Sequence, residues 1–213
     1  MRTEDLIEAL AIETPPAPPA LPMRRIGVAA GLGALAALVA LLAWLGLRPD
    51  LHVAMRGGFF WLKLAYSASF ALAGAALVDR YARPGGQGRW RWLLVAAPIV
   101  ILALIAAAAS HGEDMAGIHR DMMGHSWNLC PWRILTLAVP SFAAALWAFR
   151  RLAPTRLGLA GFAAGLFAGG ISASVYCFAC DENTALFVVT WYTLGILACG
   201  GVGALLGPRL LRW

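Results

Sequence analysis

Charge is scarce in this chain: Asp, Glu, Lys and Arg make up 13% of 213 residues, and Lys63 is its one lysine. Polar sequence of any length is missing too. The longest pieces outside apolar runs are 1–25 and 111–133. Below about 40 residues a chain rarely folds alone, so no soluble domain is expected. No basic segment, short apolar core and small-residue cleavage site opens the chain, so no cleaved signal peptide is expected. The apolar runs contain neither an Arg-rich voltage sensor nor a row of carboxylates for relaying protons. That absence argues against a pump or an ion-coupled transporter. Cysteine is limited to Cys130, Cys177, Cys180 and Cys199. Cys177-Phe-Ala-Cys180 is a C-x-x-C without the second pair that a metal chelate or a quinone-linked oxidoreductase calls for.

What the chain does have is six long apolar runs, at about 26–47, 59–78, 93–110, 134–149, 157–177 and 185–206. Each approaches or exceeds the roughly 20 residues an α-helix needs to cross about 30 Å of hydrocarbon. Backbone groups in lipid must bond internally, so the runs are helices rather than strands. The expected fold is all-α: a polytopic bundle of six transmembrane helices over 26–213.

The cations divide unevenly between the two ends of these helices. One side holds Arg2, Arg24, Arg25, Arg80, Arg83, Arg89, Arg91, Arg150, Arg151, Arg156, Arg209 and Arg212; the other holds Arg48, Arg56, Arg120 and Arg133. The positive-inside rule then predicts an inner-membrane protein with both termini cytoplasmic. The loops 48–58, 111–133 and 178–184 would face outward. The basic excess thus reads as topology, with no direct nucleic-acid partner. Lys63 falls inside the second run, where a lysine snorkels or finds a carboxylate.

The N-terminal tail differs from the rest: up to Ala20 it sets Arg2 against Glu4, Asp5, Glu8 and Glu13. Thr3 is a plausible N-cap, and Glu4 and Asp5 stand where a helix dipole favours anions. Leu6, Ile7 and Leu10 share one face of a short helix within 1–13. Alone in water such a helix is marginal. A Pro-rich linker over 14–25 follows; its Thr14–Pro22 part is polyproline II and reaches roughly 28 Å at about 3.1 Å per residue. The helix is a frayed terminus, an amphipathic anchor, or a bait that folds on a basic cytoplasmic partner. Its acidity sits poorly with the anionic inner leaflet, so the bait is preferred to the anchor.

Small residues recur four apart at Gly161, Gly165 and Gly169, and at Gly27 and Gly31, the spacing that lets helices approach closely in lipid. Packing inside one bundle is preferred to homodimerisation. Phe59, Phe60, Trp61, Trp90, Trp92, Trp127 and Trp132 cluster at run ends, as interfacial belts do.

Cys130, in Trp127-Asn-Leu-Cys-Pro-Trp-Arg133, leads into the fourth run, and Cys177 and Cys180 lie at the end of the fifth, so all three are expected on one outer face. Cys199 lies within the sixth as a small packing residue. The outer thiols admit four readings. One is a structural disulfide from Cys130 to Cys177 or Cys180. The second is a thiol switch that makes and breaks such a bond. The third is soft-metal binding, with His111, His119, His125, Asp181 and Glu182 on the same side. The fourth is a thiol oxidoreductase.

Four features together resemble one family. They are the opening Thr3-Glu-Asp-Leu-Ile-Glu-Ala-Leu10, six spans with both ends inside, Cys130-Pro-Trp-Arg133, and Cys180-Asp-Glu182 leading into Phe187-Val-Val-Thr-Trp-Tyr-Thr-Leu-Gly195. The chain is similar over nearly its whole length to the NrsF family of bacterial integral membrane anti-sigma factors. The resemblance implies a non-enzymatic negative regulator that holds an ECF (extracytoplasmic function) sigma factor at the membrane through Asp5, Leu6, Ile7 and Leu10. It further implies release on heavy-metal or oxidative stress sensed by Cys130 and Cys180, which would also be the ligands of any metal. No cofactor is implied. Cys177 falls outside the family's pattern, as an alternative disulfide partner or an incidental thiol. The alternative class is a small membrane thiol oxidoreductase or soft-metal permease.

Overall fold

The computed structural model describes Thr3, residues 21–81, 89–150, Pro154 and 156–212. Asp5, Leu6, Ile7 and Leu10, with the Pro-rich stretch up to residue 20, lie outside the described residues. Among the described residues there are helices and no strand. Six helices are long and apolar enough to cross a membrane. They are α1 (Leu21–Trp44), α2 (Gly58–Tyr81), α3 (Leu93–Ala109), α4 (Cys130–Phe149), α5 (Leu157–Tyr176) and α6 (Ala185–Leu210).

Two helices start earlier than their apolar runs. Helix α1 begins at Leu21 instead of 26, so its first turn takes in Arg24, and α4 begins at Cys130 instead of 134. Pro22 and Pro131 occupy these first turns, where a missing N–H costs nothing and a fixed φ favours the helix. The second start makes Cys130 part of the helix rather than of the preceding loop.

Helix α5 is the hub, with 78% of its most apolar window buried, and it packs against α6, α2, α4 and α1. Its glycines make this possible. A Cβ on Gly161 would lie 2.1 Å from the Gly203 oxygen, and one on Gly165 would lie 2.1 Å from the Cys199 oxygen, both on α6. On the other face, a Cβ on Gly170 would meet the Ala71 nitrogen of α2 at 2.3 Å. Lipid offers no hydrophobic drive between helices, so such backbone contact is what holds them. Gly161, Gly165 and Gly169 therefore pack inside the bundle as expected. Gly27 and Gly31 do not: nothing lies within 4 Å of a Cβ at either.

Hydroxyls tie the same helices together. Ser141 donates to the Gly33 oxygen at 2.9 Å (α4 to α1), Ser172 donates to the Ile134 oxygen at 3.1 Å (α5 to α4), and Tyr66 pairs with Thr193 (α2 to α6). Helix α3 sits at the edge against α2 and the start of α6, with 17% of its window buried. Near its start α6 carries a π-helical turn, Val188–Tyr192. Such turns often mark functional sites.

Candidate functional site

Three thiols converge at one end of the bundle. Cys130 opens α4, Cys177 caps α5, and tight turns bring Cys180 back to it: the N–H groups of Ala179 and Cys180 both donate to the Tyr176 oxygen, at 3.0 Å each. All three are buried, with 0%, 0% and 2% of their surface exposed, and all are free thiols. Cys130 lies close enough to Cys180 and Cys177 to interact electrostatically with both. The Cys177 thiol donates to the Ala173 oxygen at 3.2 Å and touches the Ser67 hydroxyl at 3.9 Å. The Tyr192 hydroxyl, on the π-helical turn, is buried beside all three thiols, and among the described residues no group meets it in regular hydrogen-bond geometry. Cys199 lies away from this cluster, packed against Gly165 and Gly169 of α5.

Two buried cations grip the segment that carries Cys180. Lys63 neither snorkels nor meets a carboxylate, contrary to expectation. Its Nζ donates to the Cys180 oxygen at 3.1 Å and the Glu182 oxygen at 3.0 Å, and it sits 5.0 Å above the Tyr192 ring. Lys63 also interacts electrostatically with Cys130 and Cys177. Arg48 adds a second grip, its Nη1 donating to the Cys180 oxygen at 3.1 Å and its backbone N–H to the Phe178 oxygen at 3.0 Å. Its Nε and Nη2 each donate to Asp50 at 2.7 Å. That pairing raises the Arg48 guanidinium above its ordinary pKa and holds the Asp50 carboxyl below its own.

Glu182 latches the preceding loop onto this segment. The loop contains a short helix, Met115–Met123, capped by the Asp114 side chain, which accepts from Gly117 N–H at 2.8 Å. The helix ends at Gly124, whose φ of +52° and ψ of −157° are open in practice to glycine alone. From there the chain turns so that the N–H groups of His125 and Ser126 donate to Glu182 Oε1 at 2.8 and 3.0 Å, and the Ser126 hydroxyl donates at 3.0 Å. Thr184 donates to the Asp121 oxygen at 2.7 Å, and the Trp191 indole donates to the Met122 oxygen at 2.8 Å. The loop is thus latched to the segment that follows Cys180, and the thiols themselves are buried. A reactive C-x-x-C is ordinarily partly exposed, so this burial does not favour oxidoreductase chemistry.

Of the polar groups expected beside the thiols, His125, Asp181 and Glu182 come together, with ligand atoms all within 4.8 Å of one another. His111 and His119 are exposed and outside that group. The pairing of Lys63 and Arg48 with backbone carbonyls has no sequence signature, since a carbonyl belongs to every residue. Nor does the π-helical turn that aims Tyr192 at the thiols. Glu182 was visible in Cys180-Asp-Glu182, but its burial was not.

A family model described as "Negative regulator of sigma F" (NrsF) matches residues 10–213. The chain is 46% identical over 221 residues to the "Anti-sigma-F factor NrsF" of Caulobacter vibrioides, covering all of both chains. It is 39% identical over 218 residues to the "Probable anti-sigma-F factor NrsF" of Azospira oryzae, again covering all of both. No solved structure matches it. With a family model covering almost the whole chain and two full-length relatives, this chain belongs to the NrsF family.

Proposed function

We propose that this chain is a membrane-bound anti-sigma factor. It sequesters an ECF sigma factor through its N-terminal tail and releases it when a heavy-metal or oxidative signal reaches Cys130 and Cys180. In this reading it lies in the bacterial inner membrane with both termini cytoplasmic, and the thiol end faces the periplasm. The observation that carries the sensing step is the convergence of Cys130, from the start of α4, with Cys180, from the turn after α5, in one buried cluster. A bond or a metal between those sulfurs changes how the two helices meet. Helix α5 touches four other spans, so it is well placed to pass that change through the bundle. Cys177, equally buried beside them, is a third thiol available to the same chemistry. The acidic tail suits a basic surface, such as the DNA-binding regions of a sigma factor.

The test is to purify the intact protein from its own membranes and ask whether a sigma factor comes with it, before and after Cd²⁺ or oxidant. The wild-type protein is expected to retain its partner at rest and lose it on challenge. A deletion of residues 1–20, or Leu6→Asp with Leu10→Asp, should lose it at rest. Cys130→Ser with Cys180→Ser should retain it under challenge, and be no worse than either single change if the pair acts as a unit. A tail deletion that still holds the partner overturns the sequestration reading, and full release in the cysteine double variant overturns the sensing one. An oxidoreductase or permease would instead keep its activity without residues 1–20.

A further inference from the structure

We propose that the seam between α2 and α3 holds a phospholipid with an amine headgroup, phosphatidylethanolamine, its ammonium set against Asp121 and Glu113. Two cavities lie along this seam. One, of about 180 Å³, has Ala65 and Ser69 of α2 on one wall and Pro98 and Ile101 of α3 on the other. The second, of about 280 Å³, lies at the end of the bundle that carries the thiols and reaches Asp121, Glu113 and the start of α6 at Ala185. Leu62 and Ile105 line both, so the two form one groove. It exists because α3 is an edge helix with 17% of its window buried, and the small side chains of Ala65 and Ser69 put little bulk into the gap.

The groove changes character along its length. Its inner part runs between two membrane spans, so it lies within the hydrocarbon. Ile101 and Ile105 are exposed beside it, so it opens sideways to lipid. Its outer part carries two carboxylates. Asp121 is half-buried and meets Thr184 through its backbone oxygen, while its side chain lines the cavity. Glu113 is exposed and leans toward the first turn of the Met115–Met123 helix, where a Cβ on Gly117 would stand 3.2 Å from its Oε2. Among the described residues, no Lys, Arg or His side chain lies within 4.0 Å of either carboxylate. An apolar channel ending in two unmatched negative charges is complementary to an amphiphile with a cationic head.

The chemistry of the outer end selects among bilayer lipids. An ethanolamine head ends in an ammonium, whose N–H groups make charge-assisted hydrogen bonds to carboxylates. A choline head carries the charge without an N–H to donate, and a glycerol head leaves the lipid with net negative charge, which two carboxylates repel. An ammonium here would touch the loop at Asp121 and stand beside the start of α6, so the lipid would brace the two against each other. This inference depends neither on the thiols sensing anything nor on a sigma factor being bound.

The test is native mass spectrometry of the purified full-length protein in a mild detergent, mixed with equal amounts of dioleoyl phosphatidylethanolamine, phosphatidylcholine and phosphatidylglycerol. The wild-type chain is expected to retain phosphatidylethanolamine over phosphatidylglycerol by about tenfold or more, with phosphatidylcholine between them. Asp121→Asn with Glu113→Gln should bring the three to near equality, with circular dichroism unchanged. Asp181→Asn, an exposed carboxylate outside the groove, should leave the preference as it is in the wild type. Ala65→Phe, which puts a ring into the inner part, should cut retention of phosphatidylethanolamine about fivefold or more. Equal retention of the three lipids by the wild-type chain overturns the proposal, as does a preference that survives the Asp121 and Glu113 changes. A preference lost equally in Asp181→Asn would be one of net charge and would overturn it too. A dimer mass that Ala65→Phe abolishes would assign the groove to a second copy of this chain instead.

Discussion

Gly165→Ala and Gly31→Ala are the same chemical change in two small-residue stripes, and the structure predicts opposite signs for them. At Gly165 the added methyl would stand 2.1 Å from the Cys199 oxygen, 2.7 Å from its carbonyl carbon and 2.8 Å from the Gly200 Cα. All three are backbone atoms of α6, so no side chain can swing aside. Ordinary contact begins near 3.5 Å, so α5 and α6 must part by about 1.4 Å at that point. A gap of about 0.5–1 Å already forfeits a quarter to a half of the dispersion between the atoms it separates, and here it would spread along the seam at Gly161, Gly203 and Gly207. Overpacking costs typically about 1–3 kcal/mol, and this site belongs at the upper end. At Gly31 nothing lies within 4 Å of the new methyl. There alanine restricts the unfolded chain and favours the helix, gaining about 0.5–1 kcal/mol. The two variants should therefore differ by roughly 3–4 kcal/mol. Unfolding of each in mixed micelles, titrated with a denaturing detergent and followed by tryptophan fluorescence, measures the difference. Equal shifts, or destabilisation by Gly31→Ala alone, would refute the placement of the α5–α6 seam.

Two further outcomes follow from the geometry. Gly124→Ala puts a methyl 2.5 Å from Glu182 Oε2, at a backbone conformation that strains any other residue by about 1–3 kcal/mol. The latch should open, seen as faster amide exchange at His125 and Ser126 and faster alkylation of Cys180, with the spans intact; an unchanged exchange pattern would count against the latch. Reporter fusions after Arg83 and Trp213 should read cytoplasmic, and a fusion at Met115 periplasmic, as the cation asymmetry requires. A cytoplasmic reading at Met115 would reverse the sidedness of the thiol cluster.

The six helices were legible because the bilayer imposes a length and a composition, and both are properties of a single segment. The stripe of Gly161, Gly165 and Gly169 was legible only in part, because Gly27 and Gly31 share its spacing without meeting another helix. Helix ends were less legible: α4 runs to Cys130 because Pro131 favours a first turn, which outweighs the polar character of Trp132-Arg133. The candidate site was legible in part. Cys130, Cys177 and Cys180 could be assigned to one end of the bundle from the order of the spans, without knowledge of how those spans pack.

What the sequence determined alone is whatever one segment decides for itself: six apolar helices, an acidic opening, and which end carries each thiol. What only the tertiary structure decided is whatever depends on a partner from elsewhere in the chain. Gly31 and Gly165 look alike in sequence and differ because α6 lies against one and nothing lies against the other. Lys63 finds backbone carbonyls because the Cys180 turn happens to cross its path. Glu182 is buried because the turn after Gly124 folds over it. A buried polar group is tolerated only where donors and acceptors from distant segments meet it, and that meeting is a property of packing, which no local pattern records.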